Sequence, residues 1–470
     1  MGYLSFLKLC LGESRTIVNA SVLEPSIVLD KALQTYRKIV DQPKTFGLAY
    51  PLFYSATQCN VEGQFAGALA AFDEALALGL DLADLHHNRG SALFNLGRHA
   101  EGLASLQRAL QMAEARNAAT IFNTHGFMLQ HMARWQEAKQ SYLQALQHDP
   151  HNPLAQLNLG LVCLTLGEWE TGWKGYEARW SGAREASSGH YMPPDCHLPH
   201  WTGQPVPPGD SLLVFAEQGF GDTLMFCRYL LLAAGHFSRV SLVCPPSLIS
   251  LLQHSLGPTV EVLDSAETNH SLWQWHTSLM SLPLAFQTRV NSVPNRVPYL
   301  NAAPEKAARW GEILRQRIPQ KVFKVGVAWA GAPGLAMDAK RSMALEQLAP
   351  LFSMQEVRWV SLQKSHPSST ALLDFTTELT DFDETAALVS QLDLVIAVDT
   401  AVVHLAGAMG KPVWLLNRFE TEWRWLLDRT DSPWYPTMRI FRQAQPDVWA
   451  DVVSEVQQAL AQIQRRSFSA

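Results

Sequence analysis

The sequence predicts an array of paired helices followed by two parallel-sheet α/β halves. Three observations carry that prediction. Up to about residue 185 the apolar spacing is helical, and small residues recur with a period of 34 to 36. From Ser211 onward, short β-rich runs alternate with helical patterns. Between the two lies the proline- and glycine-rich stretch "YMPPDCHLPHWTGQPVPPGD", which has the composition of a linker.

The repeats come first in the chain. With Gly90, Gly126 and Gly160 each placed eighth, units begin at Ala83, Ala119 and Pro153, and a further unit begins at Ala49. The starts are 34, 36 and 34 residues apart. Small and aromatic positions recur downstream: Ala68, Phe72 and Ala75; Gly102, Leu106 and Ala109; Ala138, Tyr142 and Ala145; Gly172 and Tyr176. Small residues at such positions let paired helices approach closely, and the pattern resembles the tetratricopeptide (TPR) repeat. Stacked units of this kind form a concave surface suited to peptides or proteins. The repeats are expected over 49–186, behind an N-terminal helical cap at 1–48 and ahead of a linker at 187–210. A fragment starting near Ser187 is then expected to hold the rest of the molecule; the alternative is that the last repeat, with Trp169, Trp173 and Trp180, packs on the following half and is needed for its folding.

Beyond the linker, "SLLVFAE", "RVSLVCP" and "VEVLD" read as strands of a first half over 211–318. "FKVGVAWAG", "VRWVSLQ", "DLVIAV" and "PVWLL" read as strands of a second half over 319–470, which a helix from about Ala450 to Arg465 closes. Runs this apolar, without alternation, suit strands buried on both faces of parallel sheets.

Composition narrows the function. Apolar residues make up 47% and charged residues 17%, which is ordinary for a globular chain with large cores. Acids exceed bases, 43 to 37, and no basic run offers a nucleic-acid footprint. The six cysteines include no CxxC pair and the 16 histidines no HExxH spacing, so neither a structural metal nor a cofactor is expected. No apolar run approaches a membrane span, and Lys8 interrupts the N-terminal apolar patch. A cytoplasmic location is expected.

Chemistry-bearing residues gather where strands end and helices begin. In "AEQGFGDTLMF", Gly219 and Gly221 permit a tight turn and close backbone approach, while Glu217, Gln218 and Asp222 crowd the end of the strand. Asp222 is either a helix cap or a general base. In "LVIAVDTAVVHLAGAMGKPVWLL", Asp399, Thr400 and His404 open a helix whose N–H groups suit an anion. The alternative is a pair of caps beside a core histidine. Lys340 and Arg341 precede a helix that Ser342 could cap, and would either balance a diphosphate or stand solvated. Gln363 and Lys364 end their strand at the same ligand edge. Asp383 reads as a helix cap, and "TEWRWLLDRTDSPWYP" as an aromatic pocket or core.

Taken together, "AEQGFGDTLMFCRYL", "VGVAWAG" with "KRSMAL", "SLQK", "DLVIAVDTAVVHLAGAMGKPVWLL" and "WRWLLDRTDSPWYPTMRIFRQ" resemble the heptosyltransferase family, glycosyltransferase family 9. The resemblance covers roughly Ala49 to Gln443 and implies an all-α TPR solenoid followed by a GT-B transferase, two Rossmann-like domains facing a cleft. It implies a nucleotide-sugar donor and Asp222 as catalytic base on an acceptor hydroxyl. It places Asp399, Thr400 and His404 around the donor diphosphate, with Lys340 and Arg341 on phosphate oxygens. One base implies inversion, and such enzymes work without a metal. Where the family carries glycine after the Asp–Thr pair, this chain has Ala401 and Val402. The pairing with repeats is similar to O-GlcNAc and flagellin-modifying transferases, so the expected partner is an acceptor protein, flagellin-like among the candidates, held in the TPR groove. The competing expectations are a repeat scaffold with a degenerate transferase domain, and a transferase acting on lipid-linked glycan or polysaccharide.

Overall fold

The computed structural model describes residues 46–181, 196–264, 270–318, 322–331, 338–364 and 369–467. The expected N-terminal cap lies outside the described residues apart from its last three, as do residues 187–195 of the linker and the junction at 319–321. The chain divides into two compact units, Met1–Ala155 and Gln156–Ala470. That division lies well ahead of the expected linker.

The first unit is built from helix pairs: α1 (Phe46–Val61) with α2 (Phe65–Ala77), α3 (Ala83–Asn95) with α4 (His99–Gln111), and α5 (Ala115–His131) with α6 (Trp135–His148). The small positions do what their spacing predicts. A Cβ added at Gly90 would meet the Gly102 carbonyl at 3.0 Å, and one at Gly126 would meet the Tyr142 ring at 2.7 Å. Each pair is joined by a turn through the left-handed region, at Gly63, Gly97 and Ala133. Ala133 takes φ +55 without glycine's freedom, a mild local strain that the flanking helices hold. Phe72, Leu85, Leu93 and Ala56 are fully buried in the core.

The fourth pair is α7 (Pro153–Thr165), which begins at the division, and α8 (Trp169–Tyr176). In the second unit α8 is part of one continuous core with the α/β region. Trp169, Trp173 and Tyr176 are buried there among Phe226, Trp423 and Trp434. Trp169 stacks on Trp434 with ring centroids 5.2 Å apart, and Trp173 meets Trp423 edge-on at 5.3 Å. The Trp173 indole N–H donates to the Thr288 carbonyl at 2.9 Å.

The first sheet holds β1 (Ser211–Phe215), which leads into α9 (Phe220–Phe226), then β2 (Arg239–Cys244), α10 (Pro246–Leu256), β3 (Glu261–Asp264) and β4 (Trp275–Ser278). Its order is β3-β2-β1-β4 and every pairing is parallel. Helix α11 (Pro304–Arg317) leads to the second sheet, made of β5 (Phe323–Ala328), β6 (Val357–Ser361), β7 (Leu373–Asp374), β8 (Leu394–Val398), β9 (Val413–Asn417) and β10 (Met438–Arg442). Its order is β10-β9-β8-β5-β6-β7, again all parallel. Between these strands α12 (Phe382–Ser390) precedes β8 and α13 (Ala401–Ala408) follows it, and α14 (Ala450–Ser467) closes the chain. The fold is therefore a TPR-like helical region followed by two doubly wound parallel sheets. Among the described residues no helix is long and apolar enough to cross a membrane.

Sequence reading missed three strands. β4 contains Trp275 and His276, β7 has two residues, and β10 alternates arginine with apolar residues at a sheet edge. None has the unbroken β-branched run of a central strand. Asp383 is not the helix cap. Asp381 caps α12, accepting from the Glu384 N–H at 2.7 Å, while Asp383 lies buried inside the helix. There it receives Lys306 at 2.9 Å and Ser250 at 3.0 Å, tying α12 to the first half.

Candidate functional site

In each sheet the strand order reverses at one place, between β1 and β4 and between β5 and β8. Ligands of doubly wound sheets bind outside strand C-termini at such points. The loop after β1 carries Glu217 to Asp222, and the loop after β8 carries Asp399 and Thr400. The helices these loops open, α9 and α13, pack directly on each other. Gly221 makes this possible, because a Cβ there would lie 2.8 Å from the His404 ring and 3.4 Å from the Ala401 Cα.

Asp222 stands third in α9. One carboxylate oxygen accepts the Gly219 N–H at 2.9 Å, closing the helix start. The other receives Arg424, which reaches across from the second half and also grips Glu422. Arg424 is buried and lies over the Trp423 ring at 4.2 Å. Burial works against its charge, yet Glu422 and Asp222 raise its pKa above the ordinary arginine value. Three carboxyl groups share this junction with one guanidinium. Burial pushes Glu422 up to about 7 despite Arg424, and the neighbouring Asp399 and Asp222 add to the rise.

His404 is buried and neutral. Its Nδ1 is 3.0 Å from the Tyr435 hydroxyl, its ring stacks on Trp425 at 5.4 Å, and its Nε2 is 3.8 Å from an Asp399 oxygen. Burial drives the imidazole down to about 3, against the pull of Asp399. The other Asp399 oxygen accepts the Trp425 indole N–H at 3.0 Å. Thr400 occupies the N-cap position of α13 but makes no capping bond, and its buried hydroxyl has no partner.

The remaining candidates form a second set on the loops after β5 and β6. Lys340 pairs with Glu420 at 2.6 Å, and Arg341 with Asp338 at 3.1 Å. Both lie inside a short helical turn, Asp338–Arg341, rather than ahead of a helix capped by Ser342. The Ser342 hydroxyl instead accepts the Gly331 N–H at 3.0 Å. The glycine-containing segment 332–337 lies outside the described residues. The Gln363 side-chain Oε1 accepts the Trp329 and Ala330 N–H groups at 2.9 and 2.8 Å, fixing the loop after β5. Lys364 donates to the Leu379 carbonyl at 2.6 Å. Gln218, at φ +61, donates from Nε2 to the Tyr176 hydroxyl at 2.6 Å.

Thus Gly221 is brought against His404 and Asp222 against Arg424, while Gln218 turns to Tyr176 of α8. Sequence reading missed Arg424 and Glu422. Their one signal was two charged residues set among the tryptophans of "TEWRWLLDRT".

Comparison with known proteins finds matches in both the repeats and the second sheet. Residues 374–441 match glycosyltransferase family 9 (heptosyltransferase), and residues 62–119 and 131–172 match the tetratricopeptide repeat. The chain is similar to the protein FlbA of Caulobacter vibrioides, 26% identical over 435 residues and 86% of this chain. It spans 65% of that relative's length. Among solved structures, MamA covers 32% of this chain and 85% of its own at 19% identity and a TM-score of 0.26. YrrB, a TPR protein with an unusual peptide-binding site, covers 35% of this chain and 81% of its own at 21% identity and a TM-score of 0.26. The chain carries tetratricopeptide repeats followed by an α/β region in which residues 374–441 match glycosyltransferase family 9.

Proposed function

We propose that the second unit transfers a sugar from a nucleotide-sugar donor to an acceptor hydroxyl, and that the repeats recruit a protein as acceptor. The observation that carries this reading is the meeting of Asp222, beyond the end of β1 where the first sheet's order reverses, with Arg424, which follows β9 of the other half. Asp222 takes the hydroxyl proton as the acceptor oxygen attacks the anomeric carbon. The bond from that carbon to the diphosphate breaks, and its electron pair leaves with the nucleotide. One displacement inverts the anomeric centre. Lys340 and Arg341 meet the charge growing on the phosphates, with the α13 N–H groups beside Thr400. Compensation by ammonium and guanidinium groups needs no metal ion. Neutral His404 contributes a hydrogen bond rather than charge. Gln218, Gly219 and Gly221, with Gln363 and Lys364, complete the nucleotide-sugar site.

A second reading, a scaffold that binds without turnover, draws on the engagement of both Asp222 oxygens. Thermal unfolding with UDP, ADP, GDP, CMP and dTDP separates the two. A nucleotide at a hundred times its Kd stabilises by about 2.7 kcal/mol. With that nucleotide's sugar as donor, Asp222→Asn keeps the thermal shift and loses about 10²–10⁴-fold in transfer. Absence of any shift at millimolar nucleotide rejects the transferase reading. Full transfer by Asp222→Asn removes Asp222 as the base.

A further inference from the structure

Helix α8 and the turn after it, Glu177–Trp180, reach the loop after β1 by two routes. The Tyr176 hydroxyl accepts Gln218 Nε2–H at 2.6 Å. Arg179, fully buried, donates from Nε and Nη2 to the two oxygens of Glu217, each at 2.9 Å. Its remaining donors go to Glu177 at 2.6 Å, Ser281 at 2.7 Å and the Tyr176 carbonyl at 3.2 Å. Glu217 and Gln218 immediately precede the turn that opens α9, and Gln218 is held at φ +61, where a side chain is disfavoured. The same helix supports the opposite wall, since Trp173 and Tyr176 pack on Trp423, the neighbour of Arg424.

A repeat that only needed to stick to the α/β region could do so through its tryptophans. A buried arginine between two carboxylates adds little stability over apolar residues of equal volume, because desolvation offsets its attractions. What it adds is a fixed geometry for the residues it grips. We infer that the last repeat is a positioning element of the transfer site. Tyr176 and Arg179 hold Glu217 and Gln218 so that Asp222 meets the second half in register. This rests on the reading of Asp222 as the base. It makes the end of the repeat array part of the reaction apparatus rather than a tether alone.

The test uses the full chain and Tyr176→Phe, which removes the hydroxyl and keeps the ring. Hydrogen exchange of the backbone amides is followed without substrate. Loss of one buried hydrogen bond raises exchange about five- to tenfold across 217–222, with the rest of the second unit unchanged. Gln218→Met gives the same pattern, and the double variant adds nothing further, as expected for partners in one bond. With donor and acceptor present, Tyr176→Phe lowers kcat about tenfold and leaves the donor KM unchanged. Unchanged exchange at 217–222, a rise spread evenly over the unit, or additive effects in the double variant would each overturn the inference. Exchange is read with no sugar present, so a failure of the transferase reading shows separately, as altered exchange without transfer.

Discussion

Removing residues 1–186 tests how deeply the last repeat is built into the second unit. The sequence alone places the start of the transferase near Ser187, yet that cut takes away Trp169, Trp173, Tyr176 and Arg179. Deleting three buried aromatic side chains at about 3–5 kcal/mol each costs roughly 9–15 kcal/mol. Leaving Glu217 buried without Arg179 adds about 3–5 kcal/mol. The sum matches or exceeds the whole stability of an ordinary domain, about 5–15 kcal/mol. A fragment starting at Ser187 therefore has no cooperative fold, whereas one starting at Pro153 keeps α7 and α8 and melts as a unit. Near-ultraviolet circular dichroism and thermal unfolding of the two fragments decide it. A Ser187 fragment that melts cooperatively within a few degrees of the Pro153 fragment would refute the reasoning.

Two further outcomes follow from the packing of α9 on α13. Gly221→Ala drives a methyl group to 2.8 Å from the His404 ring, which Trp425 and Tyr435 prevent from yielding. Overpacking of this kind costs about 1–3 kcal/mol, so the variant melts several degrees lower, and a wild-type Tm would show that the halves separate freely there. His404 gives a pH signature. The unfolded imidazole takes up a proton as pH falls below about 6.5, and the folded one, held down to about 3, does not. Stability present at pH 7 is thus lost on acidification, by about 2 kcal/mol from this residue at pH 5. His404→Gln should flatten the pH dependence between 7 and 5 by that amount, and equal slopes for the two proteins would mean that folded His404 is charged.

Local signals made much of this molecule legible. The repeat spacing located the helix pairs because close approach demands small residues at fixed positions, as at Gly90 and Gly126. The loops after β1 and β8 were marked by glycine and by acids at the junction of apolar runs. Long-range partners left no such mark. Asp222 and Arg424 are 202 residues apart, and nothing near Asp222 announces a guanidinium from the other half. The tryptophans of α8 offered packing on the α/β region as an alternative, but their partners were hidden for a related reason. Its sequence keeps the repeat pattern, so Gly172 and Tyr176 read as one more unit, while its tryptophans face a core that forms only in the folded chain.

The division at Ala155 and Gln156 has a consequence for how such chains can diversify. Ahead of it, residues 46–148 form three helix pairs of one repeat pattern, and modules of that kind can be added, lost or exchanged in steps of one repeat. The pair that begins there answers to a different constraint, since Trp169, Trp173 and Tyr176 have fixed counterparts in Trp434 and Trp423. A chimera that grafts a foreign array to redirect the proposed transfer should therefore be joined between the third and fourth pairs. The last native pair then travels with the chemistry, as an adaptor whose outer face can change while its inner face cannot.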